Sequence, residues 1–342
     1  MVFNQREIDS FDQRHWRRET SNISLLLSRF CEKNKISFLN KTISSIKLCK
    51  HDRIVILWLF DRVPSMSAWS EVNFLCQEIG KQCYVITDNI ISFENLPFVK
   101  FFSYPELLGV TACYDNINFV SITPTKLYNC FMQRVDSVRQ SWFYWLYHFN
   151  LIDKGYVSLL MKQLVTYSPL VGKDLYDYIH YNYQLDKLPH FDKAYKQTRD
   201  LIPFRNFDEQ ENLLPLIQDS KYSLILETYS TDDDINCWCF TEKTLRALQF
   251  PTIPLIFAQK NSVQKLKDLG FEVGQHHDAL DNQDWISRQL ALIDLLVKDL
   301  LEYDWNTVYN SSKHNQSLLL DWKQRYQKPK FFESFFEKVL TN

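Results

Sequence analysis

Glycine is scarce in this chain, with six in 342 residues. Neither a GxGxxG nor a GxxxxGK[ST] pattern occurs, so no glycine-rich loop is available to cradle a phosphate. A bound phosphate would have to be met by side chains and a helix N-terminus. The eight cysteines, at 31, 49, 76, 83, 113, 130, 237 and 239, include no CxxC pair. Their apolar surroundings predict buried free thiols in a reducing compartment. Cys237-Trp238-Cys239 lacks the further spaced ligands that zinc needs, so no metal is expected there. No apolar run approaches the ~18 residues of a membrane span. The N-terminus is polar and charged, with no secretory signal, and a cytoplasmic location is expected. A formal net charge of −2 gives no overall attraction to nucleic acid or to an anionic membrane. The basic run Arg14 to Arg18 sits among acidic neighbours and reads as a solvated helix face.

What is present is apolar and aromatic. Hydrophobic residues make up 45%, aromatics 15% and charged residues 23%, which places the chain among folded globular proteins. Ile54 to Phe60 (IVILWLF) is the most strand-like run and ends at Asp61-Arg62. A helix is expected over Ser67 to Ile79, with Trp69, Val72, Leu75, Cys76 and Ile79 on one face. Gly80 closes it, and Cys83 to Thr87 is the next strand. Such a βαβ unit implies a parallel sheet. Asp61 and Asp88 then stand at carboxyl ends of strands, the functional edge of such sheets. Asp61 and Arg62 serve equally well as caps of the turn. Further strands are expected over Val99 to Tyr104, Ile117 to Ile122 and Tyr156 to Met161. A long aromatic helix is expected over Val138 to Leu151, its Trp142, Trp145, Leu146 and Phe149 at the spacing of a core face. Residues 165 to 220 show no clear periodicity and read as an irregular insertion. The tail from 284 is helical, with Trp285, Leu290, Leu292, Ile293, Leu296 and Leu300 on its apolar face.

The chain's organising stretch is Leu224 to Val273. Leu224-Ile225-Leu226 is a buried strand ending at Glu227. A loop with Asp232, Asp233 and Asp234 follows, read as solvated because one loop rarely converges enough oxygens on a hard cation. Thr241 is an N-cap candidate, and Glu242 suits the first turn of the helix it opens. Leu245, Leu248 and Phe250 form the apolar face. Pro254 to Phe257 is the next parallel strand, and Phe271-Glu272-Val273 another; His276-His277-Asp278 reads as a hydrophilic turn. A lysine and a carboxylate at one helix start, Lys243 and Glu242, suit a pyrophosphate and a ribose hydroxyl respectively.

Glu227, Thr241, Glu242, Lys243, Arg246 and Pro254, in this order, resemble the donor-binding region of α1,3-fucosyltransferase-like and exostosin-like glycosyltransferases. A weaker likeness covers Asn129, Arg134, Arg139, Gly155, Val157 and Ser158. The resemblance implies two Rossmann-like domains, the GT-B arrangement. An acceptor-side domain is expected over 1–115 and a nucleotide-sugar domain over 116–325, with a C-terminal helix at 326–342 packing back on the first. It implies Arg134 or Arg139 as a second cation on the donor diphosphate, a role a forked guanidinium fills well.

The function implied is metal-independent, inverting transfer of a sugar from a UDP- or GDP-linked donor to a glycan or other hydroxyl acceptor. No separate cofactor is expected. The acceptor must lose a proton, in an inverting enzyme usually to a carboxylate or a histidine near the sugar. Asp61, Asp88, Glu94 and Glu227 are candidates, and Asp61 is preferred because the base should come from the first domain. The competing reading is a non-catalytic protein of the same fold that binds carbohydrate or a partner. A metal-dependent transferase using Asp232 to Asp234 is a third.

Overall fold

The computed structural model describes residues 15–59, 63–114, 117, 119, 121–132, 137–159, 214–227, 237–326, 334 and 337. The molecule is α/β and divides into two compact units. The first takes Met1–Asp115, Asp234–Arg246 and Gln316–Asn342; the second takes Asn116–Asp233 and Ala247–Asn315.

The first unit is built on a parallel sheet. Its strands are β1 (Ser37–Asn40), β2 (Arg53–Trp58), β3 (Gln82–Thr87) and β5 (Val99–Ser103), paired in that order. Side chains alternate across a strand, and β2 shows the consequence. Val55 and Leu57 pack with Ile23, Leu27 and Cys31 of helix α1 (His15–Lys33). Ile54 and Ile56 pack with Trp69, Val72 and Cys76 of helix α2 (Met66–Glu78). A helix on each face explains why β2 reads as a continuous apolar run. The chain leaves α2 through Gly80 at φ +64, a left-handed turn that favours glycine. Two short strands, β4 (Ile90–Ile91) and β9 (Cys237–Trp238), pair antiparallel in the same unit. A one-turn helix, α3 (Gly109–Ala112), completes this part of the chain.

The second unit holds another parallel sheet. Its strands are β6 (Lys126–Met132), β7 (Gly155–Leu159), β8 (Ser220–Leu226) and β10 (Ile253–Phe257), in the spatial order β10-β8-β6-β7. Helix α4 (Ser137–His148) brings Trp142, Phe143, Trp145 and Leu146 onto one sheet face. Burying an apolar side chain of this size is worth roughly 1.5–3 kcal/mol. After β10 come α7 (Ser262–Asp268) and α8 (Trp285–Lys298), which adds Leu292, Ile293 and Leu296 to the same core. Before β8 stands α5 (Leu214–Gln218); after β9 comes α6 (Glu242–Ala247); the last long helix is α9 (Trp305–Tyr326).

Several expectations are corrected. The strand expected over Ile117 to Ile122 is not one: described residues 117, 119, 121 and 122 are irregular, and Phe119 packs edge-on against Tyr309, 5.4 Å between centroids. The strand instead is Lys126–Met132, whose alternate residues Tyr128, Cys130 and Met132 are buried. Phe271-Glu272-Val273 is likewise irregular, although Phe271 and Val273 are buried. No strand is needed there, because the outer edge of β10 is closed by histidines. His276 Nε2 and His277 Nε2 lie 2.9 and 3.0 Å from the Pro254 carbonyl, and His277 Nε2 lies 3.4 Å from the Ile256 amide. The turn read as merely hydrophilic is therefore structural at His277. Leu300 is exposed, because α8 ends at Lys298 and its C-cap, Asp299, lies in the left-handed region at φ 50. The insertion expected at 165 to 220 yields α5 and the start of β8 at its end. Its remainder, through 213, lies outside the described residues.

Candidate functional site

In the second unit the chain runs from β6 to β7 on one side, then crosses back to β8 on the other and on to β10. Connections that leave in opposite directions open a crevice at the carboxyl ends of the two strands between them, here β6 and β8. Among the described residues the first unit shows no such reversal, since its parallel strands follow one another across the sheet.

Two expected site residues meet at this crevice. Arg139 lies in the first turn of α4, the helix that follows β6. Its Nη2 donates to the carbonyl of Leu226, the last residue of β8, at 3.5 Å. Glu227 is the next residue, and its amide donates to the Phe257 carbonyl at 3.0 Å, extending the pairing of β8 with β10. Arg139 is 3% exposed and Glu227 1%. Burial pushes the Cys130 thiol of β6 up to about 12, and the nearby Arg139 charge opposes that rise. A guanidinium and a carboxyl group thus share one buried strand end.

Behind them runs a polar string that sequence reasoning missed. The Ser141 hydroxyl donates to the Val138 carbonyl at 2.7 Å and accepts from Gln289 Nε2 at 3.0 Å. Gln289 Oε1 and Trp142 Nε1 are buried with no hydrogen-bond partner among the described residues. The Trp142 ring meets Phe257 edge-on at 5.3 Å, at the carboxyl end of β10. The signal in the sequence was Gln289 itself, an amide on the apolar face of α8 among Trp285, Leu292 and Ile293. Asn129, noted for its neighbourhood, is structural. Its Nδ2 donates to Ser223 Oγ at 3.0 Å, and Ser223 shares a hydrogen bond with Thr252 at 2.8 Å, a buried ladder across three neighbouring segments.

The other donor residues fall elsewhere. Thr241, Glu242, Lys243 and Arg246 belong to the first unit, whereas Arg139 and Glu227 belong to the second. Helix α6 starts where expected, and Thr241 Oγ1 accepts the Lys243 amide at 3.3 Å. It is six residues long, which limits its dipole. The Arg246 guanidinium lies over the Tyr114 ring, 5.8 Å from its centroid. Of the residues expected on the apolar face of α6, Leu245 is buried within the helix, while Leu248 and Phe250 are buried just beyond its end.

Comparison of the chain with protein-family models, with curated proteins and with solved structures gives no match in any of the three.

Asp61, Arg62 and Arg134 lie outside the described residues, as do Asp232, Asp233 and Asp234. Of the other carboxylates considered as bases, Glu94 is exposed and Asp88 is buried at the end of β3. Asp88 Oδ1 accepts from Asn89 Nδ2 at 3.0 Å. Asn89 ties this edge together: its Oδ1 accepts the Val63 amide at 3.3 Å and the Cys237 thiol at 3.3 Å. Cys237 and Cys239 are buried and form no disulfide.

Proposed function

We propose that the chain is a glycosyltransferase of the GT-B kind, moving a sugar from a UDP- or GDP-linked donor to a glycan or other hydroxyl acceptor without a metal and with inversion. The observation that carries this reading is the buried Arg139 and Glu227 at the β6/β8 switch point of the second unit. Loss of the nucleoside diphosphate places negative charge on its phosphates, and a preorganised guanidinium stabilises that charge. Arg139 takes this part, with Glu227 oriented to a sugar or ribose hydroxyl. The likeness of Glu227, Thr241-Glu242-Lys243 and Arg246 to fucosyltransferase-like and exostosin-like sequences supports the same reading, with Lys243 as a further cation. Asp61 is the first candidate for the base that takes the acceptor's proton, and Asp88 the second.

The test is a thermal-shift panel of UDP, GDP, CMP and their common sugars, with and without EDTA, on the full chain and on Arg139→Lys and Lys243→Ala. A ligand at ~100 times its dissociation constant stabilises the folded state by about 2.7 kcal/mol. The reading expects a shift with one diphosphate family that persists in EDTA and shrinks in both variants, together with release of that diphosphate when acceptor is added. A shift without release on any acceptor would make the protein a binding module. Absence of any shift would remove the proposal.

A further inference from the structure

The second unit has a cavity of about 330 Å³ at the opposite end of its sheet, beside Ile253 and Pro254 at the start of β10. The strand-end crevice lies about 13 Å away along this five-residue strand. Phe250, Ile253, Leu301 and Val308 give the cavity an apolar wall. Among the described residues, the ionisable ones that line it are Glu272, Glu302, Asp304 and His276, with no lysine or arginine. With three carboxylates and a neutral imidazole, the formal charge of the lining is −3. Burial, with Lys267 nearby, holds His276 below the ordinary imidazole range, so it adds no positive charge near neutrality.

The three carboxylates differ in availability. Asp304 is committed to capping α9: its carboxylate accepts the Asn306 amide at 3.2 Å, the Thr307 amide at 3.1 Å and the Thr307 hydroxyl at 2.5 Å. That cap satisfies the helix N-terminus that would otherwise draw an anion into the cavity. Glu272 has His314 Nδ1 at 4.0 Å. Glu302 is exposed and has no ion-pair partner among the described residues. The volume falls within the range of small-ligand pockets, which pair an apolar wall with a few polar anchors.

We propose that this cavity binds a small organic cation, an ammonium or guanidinium carried on an apolar body, with Glu302 as the principal anchor and Glu272 as the second. The body fills the space lined by Phe250 and Val308, and the charged head stays at the acidic mouth. This does not depend on the glycosyltransferase reading, because none of these residues belongs to the strand-end crevice.

The probes are 2-phenylethylammonium, its neutral counterpart 2-phenylethanol and the anion 3-phenylpropionate, titrated into the full chain by NMR at low salt. Saturable binding is expected for the ammonium, with the alcohol at least about tenfold weaker and no binding of the carboxylate, where tenfold corresponds to ~1.4 kcal/mol. Glu302→Gln is expected to weaken the ammonium about tenfold and leave the alcohol unchanged. Val308→Trp, or Leu301→Trp should the first fail to fold, is expected to abolish binding of both. Equal affinity for the three probes, no effect of Glu302→Gln, or no ammonium binding up to its solubility would overturn the proposal. Glu302→Gln is also expected to leave any nucleotide thermal shift intact, which keeps the two functional readings separable.

Discussion

His277 is the residue whose protonation bears most directly on the second unit. Burial, with His276 beside it, pushes its imidazole from 6.5 down to about 3. Between these values the unfolded chain takes up a proton that the folded chain refuses. The stability that neutral His277 allows is therefore complete above pH ~6.5 and is lost as pH falls, by up to ~1.4 kcal/mol per pH unit. Urea midpoints measured from pH 7.5 to 5 should decline, and His277→Gln, which keeps a donor for the Pro254 carbonyl, should flatten the decline. A pH-independent midpoint would show that the ring is not buried neutral. Arg139 is the other residue of consequence. Removing one charge from a buried polar arrangement leaves the rest uncompensated, at roughly 3–5 kcal/mol. Arg139→Met is expected to lower stability by about that amount in chemical denaturation, and Arg139→Met with Glu227→Gln to recover part of it.

At the scale of elements, caps and close approaches decide which helices are well held. Asp284 opens α8, its carboxylate accepting the Ile286 and Ser287 amides at 3.1 and 3.0 Å. The Ser287 hydroxyl, which donates to the same carboxylate at 2.6 Å, is the main reason its carboxyl is held below the ordinary range. Asp284→Ala is expected to lower stability by about 1 kcal/mol, read from the thermal midpoint. Gly109 is a tighter constraint. A Cβ there would stand 2.7 Å from Trp322 Cβ and 3.3 Å from the Leu319 carbonyl of α9. Gly109→Ala would force that helix away and is expected to cost about 1–3 kcal/mol. An unchanged melt would mean that α9 does not lie on this turn. Elements with strong local signals were legible in the sequence. The apolar face of α2 and the aromatic stripe of α4 were visible from their 3.6-residue spacing. The strand Lys126–Met132 was not, because Lys126 and Asn129 break its apolar run. Asn129 is accommodated by the Ser223 hydroxyl and the Tyr222 carbonyl on the neighbouring strand.

At the scale of the whole molecule, the first unit is discontinuous: Met1–Asp115 is completed by Asp234–Arg246 and Gln316–Asn342. A fragment of residues 1–115 would leave β4 without its partner β9 and Gly109 without Leu319 and Trp322. It is expected to show no cooperative unfolding transition by circular dichroism, in contrast to the transition expected of the full chain. A cooperative fragment would mean that the later segments only decorate the unit. The candidate crevice is a property at this scale too. Arg139 and Glu227 are far apart in sequence, and they meet because β6 and β8 are neighbours while β7, between them in the chain, pairs on the far side.

The sequence by itself determined the α/β class, the parallel pairing around β2 and β3, most of the helix faces and the start of α6 at Thr241. Each of these rests on interactions within a few residues: side-chain periodicity, capping and turn chemistry. Tertiary structure alone decided that β10 is an edge strand closed by histidines, that Gln289 turns inward against Ser141, and that 234–246 join the first unit while Glu227 stays with the second. It also placed an acidic cavity at the amino end of β10. These outcomes depend on which strands become neighbours. That choice is made by burying apolar area between segments far apart in the chain, and local spacing does not encode it.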